Sequence, residues 1–452
     1  MGNTRREFIK KSALAAAGFA VASTGLSAKS YARILGANDK VVVGLVGFSD
    51  RAKQSLVPAF MPYAAKMNFE IKGVSDIWNR RRSEAVEFFK KEYGENVVTY
   101  LNNDELYNDK DIDAVIISTA DFQHALHTVE AAKNKKDAYV EKPFAETMED
   151  NRLALKAVME SGIICQIGSQ RRSGPNYHKA FEFIKSGKFG DIKMVEMTWN
   201  VNQPGRWRRP ELTSKIKESD TDWKRYIMNR PYEPWDARKY VEYRLFWPYS
   251  SGIPGQWMSH QIDTVHWFTG LRYPRSVTAN GGIYMWNDGR KNYDAMTAVF
   301  DYGPEDDLTK GFQVLYSSRM FNSAGGVKEI YYSNGGELNL DTNKVTPTGG
   351  LIEQYAKTMN MKPNLLPEVD LSVSDVKVET GANTGADLMT TLHMLNWMEC
   401  IRSRKQPNAT VEAGYDHSVA NIMVTAALKT KKLVTFDKIN QEVLADGKVF
   451  QY

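Results

Sequence analysis

From Lys40 the chain alternates short β-branched runs with helical stretches, and that rhythm leaves few folds open. Val41-Val42-Val43-Gly44-Leu45-Val46-Gly47 reads as a buried strand ending at glycine, followed by a helical pattern through Ala65. Further strands are expected at 69–76, 114–119, 138–141 and 163–168, separated by helices over 80–93, 124–134 and 148–161. Strands joined by single helices of this length imply right-handed crossovers and a parallel sheet, so 38–170 is expected to form one α/β domain. After about Gln170 the rhythm changes. Strand-like runs at 193–201, 276–286, 295–302, 311–318 and 328–332 suggest a second α/β domain, 171–452, with a large, mostly antiparallel open sheet. Helical segments at 177–186, 256–269, 386–403 and 412–430 are available to cover one of its faces, while 341–380 reads as a long insertion or loop.

Net charge decides which partners to exclude. The chain has 452 residues and a formal charge of +5, but residues 1–32 hold Arg5, Arg6, Lys10, Lys11 and Lys29 against Glu7, which leaves +1 for the rest. No basic footprint for nucleic acid remains. The basic head runs into a mildly apolar, Ala-rich stretch from Ala13 to Leu26, with small residues suiting cleavage after Ala28 or Ala32. The paired arginines followed by Glu-Phe-Ile-Lys resemble the bacterial twin-arginine signal, which implies export of an already folded protein to the periplasm. No later stretch is apolar for the roughly 18 residues that a membrane span needs. Cys165 and Cys400 have no CxxC spacing and read as two buried free thiols, with a disulfide as the alternative; no metal site is expected.

A dinucleotide-binding Rossmann domain should leave its first strand through G-x-G-x-x-G/A. Here the register is Gly47-Phe48-Ser49-Asp50-Arg51-Ala52. The first and third positions fit, whereas Ser49 replaces the second glycine and Asp50 puts a negative charge at a helix N-terminus. Asp76 ends the second strand, where an acid would bond the adenosine ribose and favour NAD; it also fits a helix N-cap. Arg80, Arg81 and Arg82 follow and keep NADP as the alternative.

Glu141-Lys142-Pro143 ends the strand at 138–141, so Lys142 should project at the carboxyl edge of the sheet, where its charge would favour a developing alkoxide. Gly47 with Ala52, Thr119 followed by His124, Glu141-Lys142-Pro143, Gly168-Ser169-Gln170-Arg171-Arg172, and His260-Gln261-Ile262-Asp263 with Trp267 together resemble the Gfo/Idh/MocA oxidoreductase family. The resemblance covers nearly all of the chain after the leader. It implies a Rossmann domain followed by an α/β domain whose open sheet often mediates oligomers, hence a homo-oligomer. It places Phe48, Ser49, Thr119, His124, Glu141 and Lys142 at the cofactor, with Lys142 as the catalytic lysine and His260 as the proton-transferring histidine. Two departures stand out. Ala120 replaces a frequent proline, and Gln256 stands where many relatives have an aspartate one turn before the histidine. Asp263, three residues beyond His260 on the same helix, is expected to take over its orientation. His266 reads as a core histidine, since it is rotated about 120° from His260 on a helix.

Seven of the ten tryptophans fall between Trp199 and Trp267, among Arg206, Arg208, Arg209 and Arg244. Rings beside polar hydrogen-bonding groups suit a sugar, although at least half of the rings should simply pack the core. Arg171, Trp207, Tyr249, Gln256 and His260 are the expected substrate contacts. The leading expectation is an exported enzyme that passes a hydride from a carbohydrate or polyol carbinol to a tightly held NAD. Alternatives are a glycoside hydrolase or lyase that uses a retained NAD by oxidation and elimination, and a sugar-binding protein without catalysis.

Overall fold

In the computed structural model, residues 40–373 and 386–452 are described, so the expected leader at 1–32 lies outside the described residues. Six strands form the first sheet: β1 (Val41–Val46), β2 (Phe69–Ser75), β3 (Val98–Tyr100), β4 (Ala114–Ile117), β5 (Asp137–Val140) and β6 (Cys165–Ile167). All pairs are parallel, in the order β3-β2-β1-β4-β5-β6. Both faces are covered, so strands such as β4 and β5 are buried along their whole length, which is why they read as unbroken apolar runs. β3 escaped the sequence reading because it is an edge strand of three residues, two of them exposed.

The second sheet has eleven strands. β7 (Met194–Asn200), β8 (Ser276–Gly282), β9 (Ala295–Tyr302), β10 (Phe312–Arg319) and β11 (Val327–Ser333) form its centre. β12 (Gly336–Asn339), β13 (Lys344–Thr346) and β14 (Val369–Asp370) extend one end, and β15 (Val434–Asp437), β16 (Glu442–Ala445) and β17 (Lys448–Val449) the other. β7 and β10 are parallel and the remaining pairs antiparallel. Burial alternates along β9 and β10, as expected of a sheet with one face on a core. The strand expected to run to Trp286 stops at Gly282, because the backbone N–H groups of Tyr284, Met285 and Trp286 turn in to donate to the buried Asp294 carboxylate. The region 341–380 is more ordered than expected: it holds β13, β14 and a helix at Glu353–Thr358, while 374–385 falls outside the described residues.

The two halves interlock within Val41–Tyr452. Helix Leu388–Ser403, expected over the antiparallel sheet, instead packs on the parallel one: Met394, Trp397 and Met398 share a core with Val43, Phe60 and Tyr139. Trp397 is fully buried, and truncating it to alanine would cost about 3–5 kcal/mol. Helix Val411–Thr430 is buried almost throughout because it touches both sheets. Its Gly414 is required by that contact, since a Cβ there would lie 2.8 Å from Ile167 and 3.0 Å from Phe144. Cys165 and Cys400 are both buried free thiols. Among the described residues, no helix is long and apolar enough to cross a membrane.

Candidate active site

A parallel sheet delivers the ends of its strands to one edge, and the loops after β1, β2, β4 and β5 meet there. A cleft of about 480 Å³ opens on this edge, with Gly47, Asp76 and Thr119 on one wall and Trp207, Arg244 and Gln256 on the other. Gly47 has φ +85°, and a Cβ on it would stand 2.8 Å from Thr119 Cγ2, so the tight turn and the close strand approach both need glycine. Ser49 is turned into the loop: its hydroxyl accepts from the Ala52 N–H at 3.3 Å, at the head of the helical stretch that starts at Asp50. Asp50 is neutralised by Arg81 at 2.8 Å. Burial works against the Asp50 charge, but Arg81, with Arg209 and Arg244 further away, holds its carboxyl below the ordinary range.

Asp76 is tied into the turn. One carboxylate oxygen accepts from the Phe48 N–H and the other from the Trp78 N–H, each at 2.9 Å, so it braces the glycine loop and leaves lone pairs toward the cleft. Phe48 contributes backbone only, because its ring is buried against Phe88 and Phe89. Arg80 bonds Glu84, Arg81 bonds Asp50 and Glu84, and Arg82 bonds the Asp76 carbonyl. Thr119 Oγ1 is buried without a hydrogen-bond partner.

Several expected cofactor contacts turn out to be braces. His124 lies between two backbone carbonyls, Nδ1 2.8 Å from the Pro143 oxygen and Nε2 3.3 Å from the Thr119 oxygen, and its ring N–H donates to them, so the ring ties the β4 loop to the β5 loop and stays out of the cleft lining. Glu141 is buried on Arg51 at 3.0 Å and accepts from Gln170; Gly168 leaves room for it, since a Cβ there would come within 3.0 Å of the carboxyl carbon. Ala52 is fully buried beneath the loop.

Lys142 is half-buried and donates to the Gln256 backbone carbonyl at 2.6 Å. Burial pushes its pKa down to about 8 against the pull of Glu141 and Asp121, with Arg244 and Arg51 adding to the fall. His260 sits close enough for Lys142 to act on it: burial first, then Lys142 and Arg171, hold the imidazole neutral far below its usual range. Its ring stacks on Trp199 at 5.7 Å and takes no hydrogen bond among the described residues. Neither Lys142 nor His260 lines the open part of the cleft; Gln256 stands between that space and Lys142.

Asp263 does not orient His260. Its carboxylate bonds Arg172 at 2.8 Å and lies 3.6 Å from His417, since a buried carboxylate seeks the nearest guanidinium. His266 bonds the Tyr302 hydroxyl at 2.8 Å, as a core histidine. Arg171 is spent on a buried ion pair with Glu329, and Tyr249 is buried 1% exposed between Phe122 and Tyr226 with its hydroxyl on Glu233, so neither is placed to meet a substrate. Trp207 and Gln256 do reach the cleft.

The residue that sequence reasoning missed is Asp121. Buried in the β4 loop, it accepts from Ser250 Oγ and from Gln256 Nε2, each at 2.6 Å, while Gln256 Oε1 accepts from Arg244 at 2.8 Å. A carboxylate from another loop thus stands behind the Gln256 amide, and Gln256 links it to Arg244. An acid two residues after the strand-end threonine was the available signal.

Residues 41–169 match a family described as oxidoreductases with an NAD-binding Rossmann fold, GFO_IDH_MocA. The matched residues carry the glycine loop, all six strands of the parallel sheet and Lys142. Over 166 residues the chain is 28% identical to the inositol 2-dehydrogenase of Salmonella typhimurium, covering 36% of this chain and 48% of that enzyme. Over 236 residues it is 25% identical to an alpha-N-acetylgalactosaminidase of Shewanella oneidensis, covering 48% of this chain and 50% of that one. The matches thus span about half the length of these relatives. A levoglucosan dehydrogenase solved with NADH and levoglucosan superposes with a TM-score of 0.62 at 15% identity, over 88% of this chain and 99% of its own, a likeness of fold. The family match thus covers the parallel-sheet domain by sequence, and the fold likeness extends over most of the chain.

Proposed function

We propose that this protein is a nicotinamide-dependent oxidoreductase of the Gfo/Idh/MocA type, acting on a carbohydrate or polyol hydroxyl. The observation that carries it is a half-buried Lys142 ammonium at the carboxyl end of β5, beside a neutral His260, directly behind the Gln256 wall of a cleft that begins at the Gly47 turn. A dinucleotide bound against Gly47 and Asp76 would supply the hydride acceptor. The groove fits that role: the turn excludes a Cβ, Thr119 Oγ1 waits unpaired, and Asp50 is already neutralised. Lys142 would stabilise the alkoxide as the hydroxyl loses its proton, and His260, free at both ring nitrogens, would take that proton. Arg80, Arg81 and Arg82 are all engaged, which favours NAD over NADP. The cleft is walled on both sides, by the strand-end loops and by the arginine-bearing wall, which supports a retained cofactor.

A second reading is glycoside cleavage, by transient oxidation, loss of the aglycone from the activated carbon, and return of the hydride. The longer match to the galactosaminidase favours it, as does the altered acid at Gln256. Absorbance of the purified, unfolded protein for nicotinamide, followed by a screen of sugars and aryl glycosides at 340 nm and for aglycone release, separates the two. No nicotinamide, and no thermal shift with NAD or NADP, leaves only the binding-protein reading. The exported location we propose rests on residues 1–32 and is tested by fusing them to a reporter that is active only outside the cytoplasm. The homo-oligomer we propose would use the uncovered face of the second sheet, where Val299 and Leu315 are half-exposed; sedimentation of a Leu315→Glu variant tests it.

A further inference from the structure

Six arginines line the cleft, and they fall into two groups. Arg51 pairs with Glu141, Arg81 with Asp50 and Arg225 with Asp104. Arg206, Arg209 and Arg244 form no ion pair among the described residues. Arg206 is the extreme case. Its guanidinium lies 5.3 Å from the Trp257 ring and 6.0 Å from that of Trp207, Nη1 is bonded to Gln203, and Nε is buried without a hydrogen-bond partner. Burial, with Arg244 and Arg209 adding to it, pushes its pKa down to about 10. A desolvated cation with an orphaned donor and only like charges for neighbours is expensive, and an anion in the cleft would relieve it.

The rings indicate where that anion belongs. Trp257 stacks nearly parallel on Trp199 at 6.1 Å, and Trp199 on His260 at 5.7 Å. Arg206 therefore caps a ladder of aromatic faces whose other end is the proton acceptor of the proposed reaction. Of the rings beside Arg206, Trp207 is the one that lines the cleft, and a face there suits the apolar side of a sugar ring. Only Asp50 and Asp76 put carboxylates on the cleft wall, both at the glycine-loop end. We propose that Arg206, with Arg209 and Arg244 beside it, forms an anion subsite for the substrate, so that the carbohydrate handled here carries a carboxylate or a sulfate ester. This rests on the oxidoreductase reading for its substrate, not for its charge. The competing source of the same chemistry is the pyrophosphate of the cofactor, because the Arg209 and Arg244 charges also reach Asp50 in the glycine loop.

The test uses the full chain as purified, with its nicotinamide content read by absorbance. Glucuronate, galacturonate and N-acetylglucosamine 6-sulfate are compared with glucose, galactose and N-acetylglucosamine by calorimetry. At least one acidic sugar should bind tenfold or more tighter than its neutral parent, Arg206→Gln should close that gap, and Arg206→Lys should keep part of it, all at equal nicotinamide content. Equal binding of acidic and neutral sugars overturns the proposal. So does an Arg206→Gln protein that loses its nicotinamide but keeps the preference, since the arginine then serves the pyrophosphate. If Arg206→Gln does not fold, Arg209→Gln carries the same comparison with an expected narrowing of about threefold. Acidic-sugar binding without hydride transfer from any sugar sinks the oxidoreductase reading and leaves the subsite standing; hydride transfer from neutral sugars alone does the reverse.

Discussion

The glycine loop and the wall that carries Arg206 and Gln256 face the same cleft but handle charge in opposite ways. Around Gly47 the ionic groups have local partners: Asp50 has Arg81, Arg51 has Glu141, and Asp76 has two backbone N–H groups, although burial still lifts its carboxyl above the ordinary range. At the other end Lys142 and His260 are held away from their ordinary protonation behaviour, and three arginines lack carboxylates. A surface that only has to hold a cofactor can be closed and self-satisfied. One that must exchange protons and recognise a variable ligand keeps groups unmet, and their cost is carried by the surrounding fold.

Lys142→Ala should break the contrast most severely. Turnover is expected to fall by about 10²–10³-fold, with melting temperature and nicotinamide content near wild type; a variant that keeps its activity places the chemistry elsewhere. The pH profile sharpens the same point. If the ammonium is the active form, kcat should decline tenfold per unit above about pH 8, because the lysine loses its proton there, and a limb near pH 10.5 would contradict the burial seen for Lys142. His260, neutral far below its usual range, should leave the acid side flat through pH 6.5.

Gly47→Val tests the closed end: a β-branched residue at φ +85° and 2.8 Å from Thr119 carries strain of about 1–3 kcal/mol and should weaken nicotinamide binding by tenfold or more in a titration. Gln256→Asp would restore the acid common in relatives but set it against Asp121, whose carboxylate is now 2.6 Å from the glutamine amide. One carboxyl of the new pair must then bind a proton, so its folded pKa rises above the unfolded value. The cost, about 2 kcal/mol, should be full at pH 8, begin to shrink as pH falls below the raised pKa and be gone only below the ordinary carboxylate range, which thermal melts taken from pH 8 down to pH 4 would show. The smallest effect is expected from Tyr249→Phe. Loss of its bond to Glu233 should cost about 1 kcal/mol of stability with no change in sugar KM.

Much of the first half was readable because β4 and β5 are buried on both faces and leave continuous apolar runs, whereas β3 and β15–β17, short and at sheet edges, leave no such run. At the site, Lys142 announced itself by standing directly after a buried strand. Asp263 misled, because sharing a helix face with His260 says nothing about Arg172, 91 residues away in sequence, which takes its carboxylate. Arg171 and Tyr249 misled for the same reason, their partners Glu329 and Glu233 lying on other elements.

By itself the sequence determined the parallel α/β core, the glycine turn with Asp76, and the strand-end lysine, because each depends on residues a few positions apart whose periodicity or steric need is local. The tertiary structure alone decided that helix Leu388–Ser403 covers the first sheet, that Asp121 accepts from the Gln256 amide, and that Arg206 is left without a carboxylate and with its Nε unbonded. Those outcomes are set by which buried charge finds a partner across the fold, and pairing of that kind has no period in the chain.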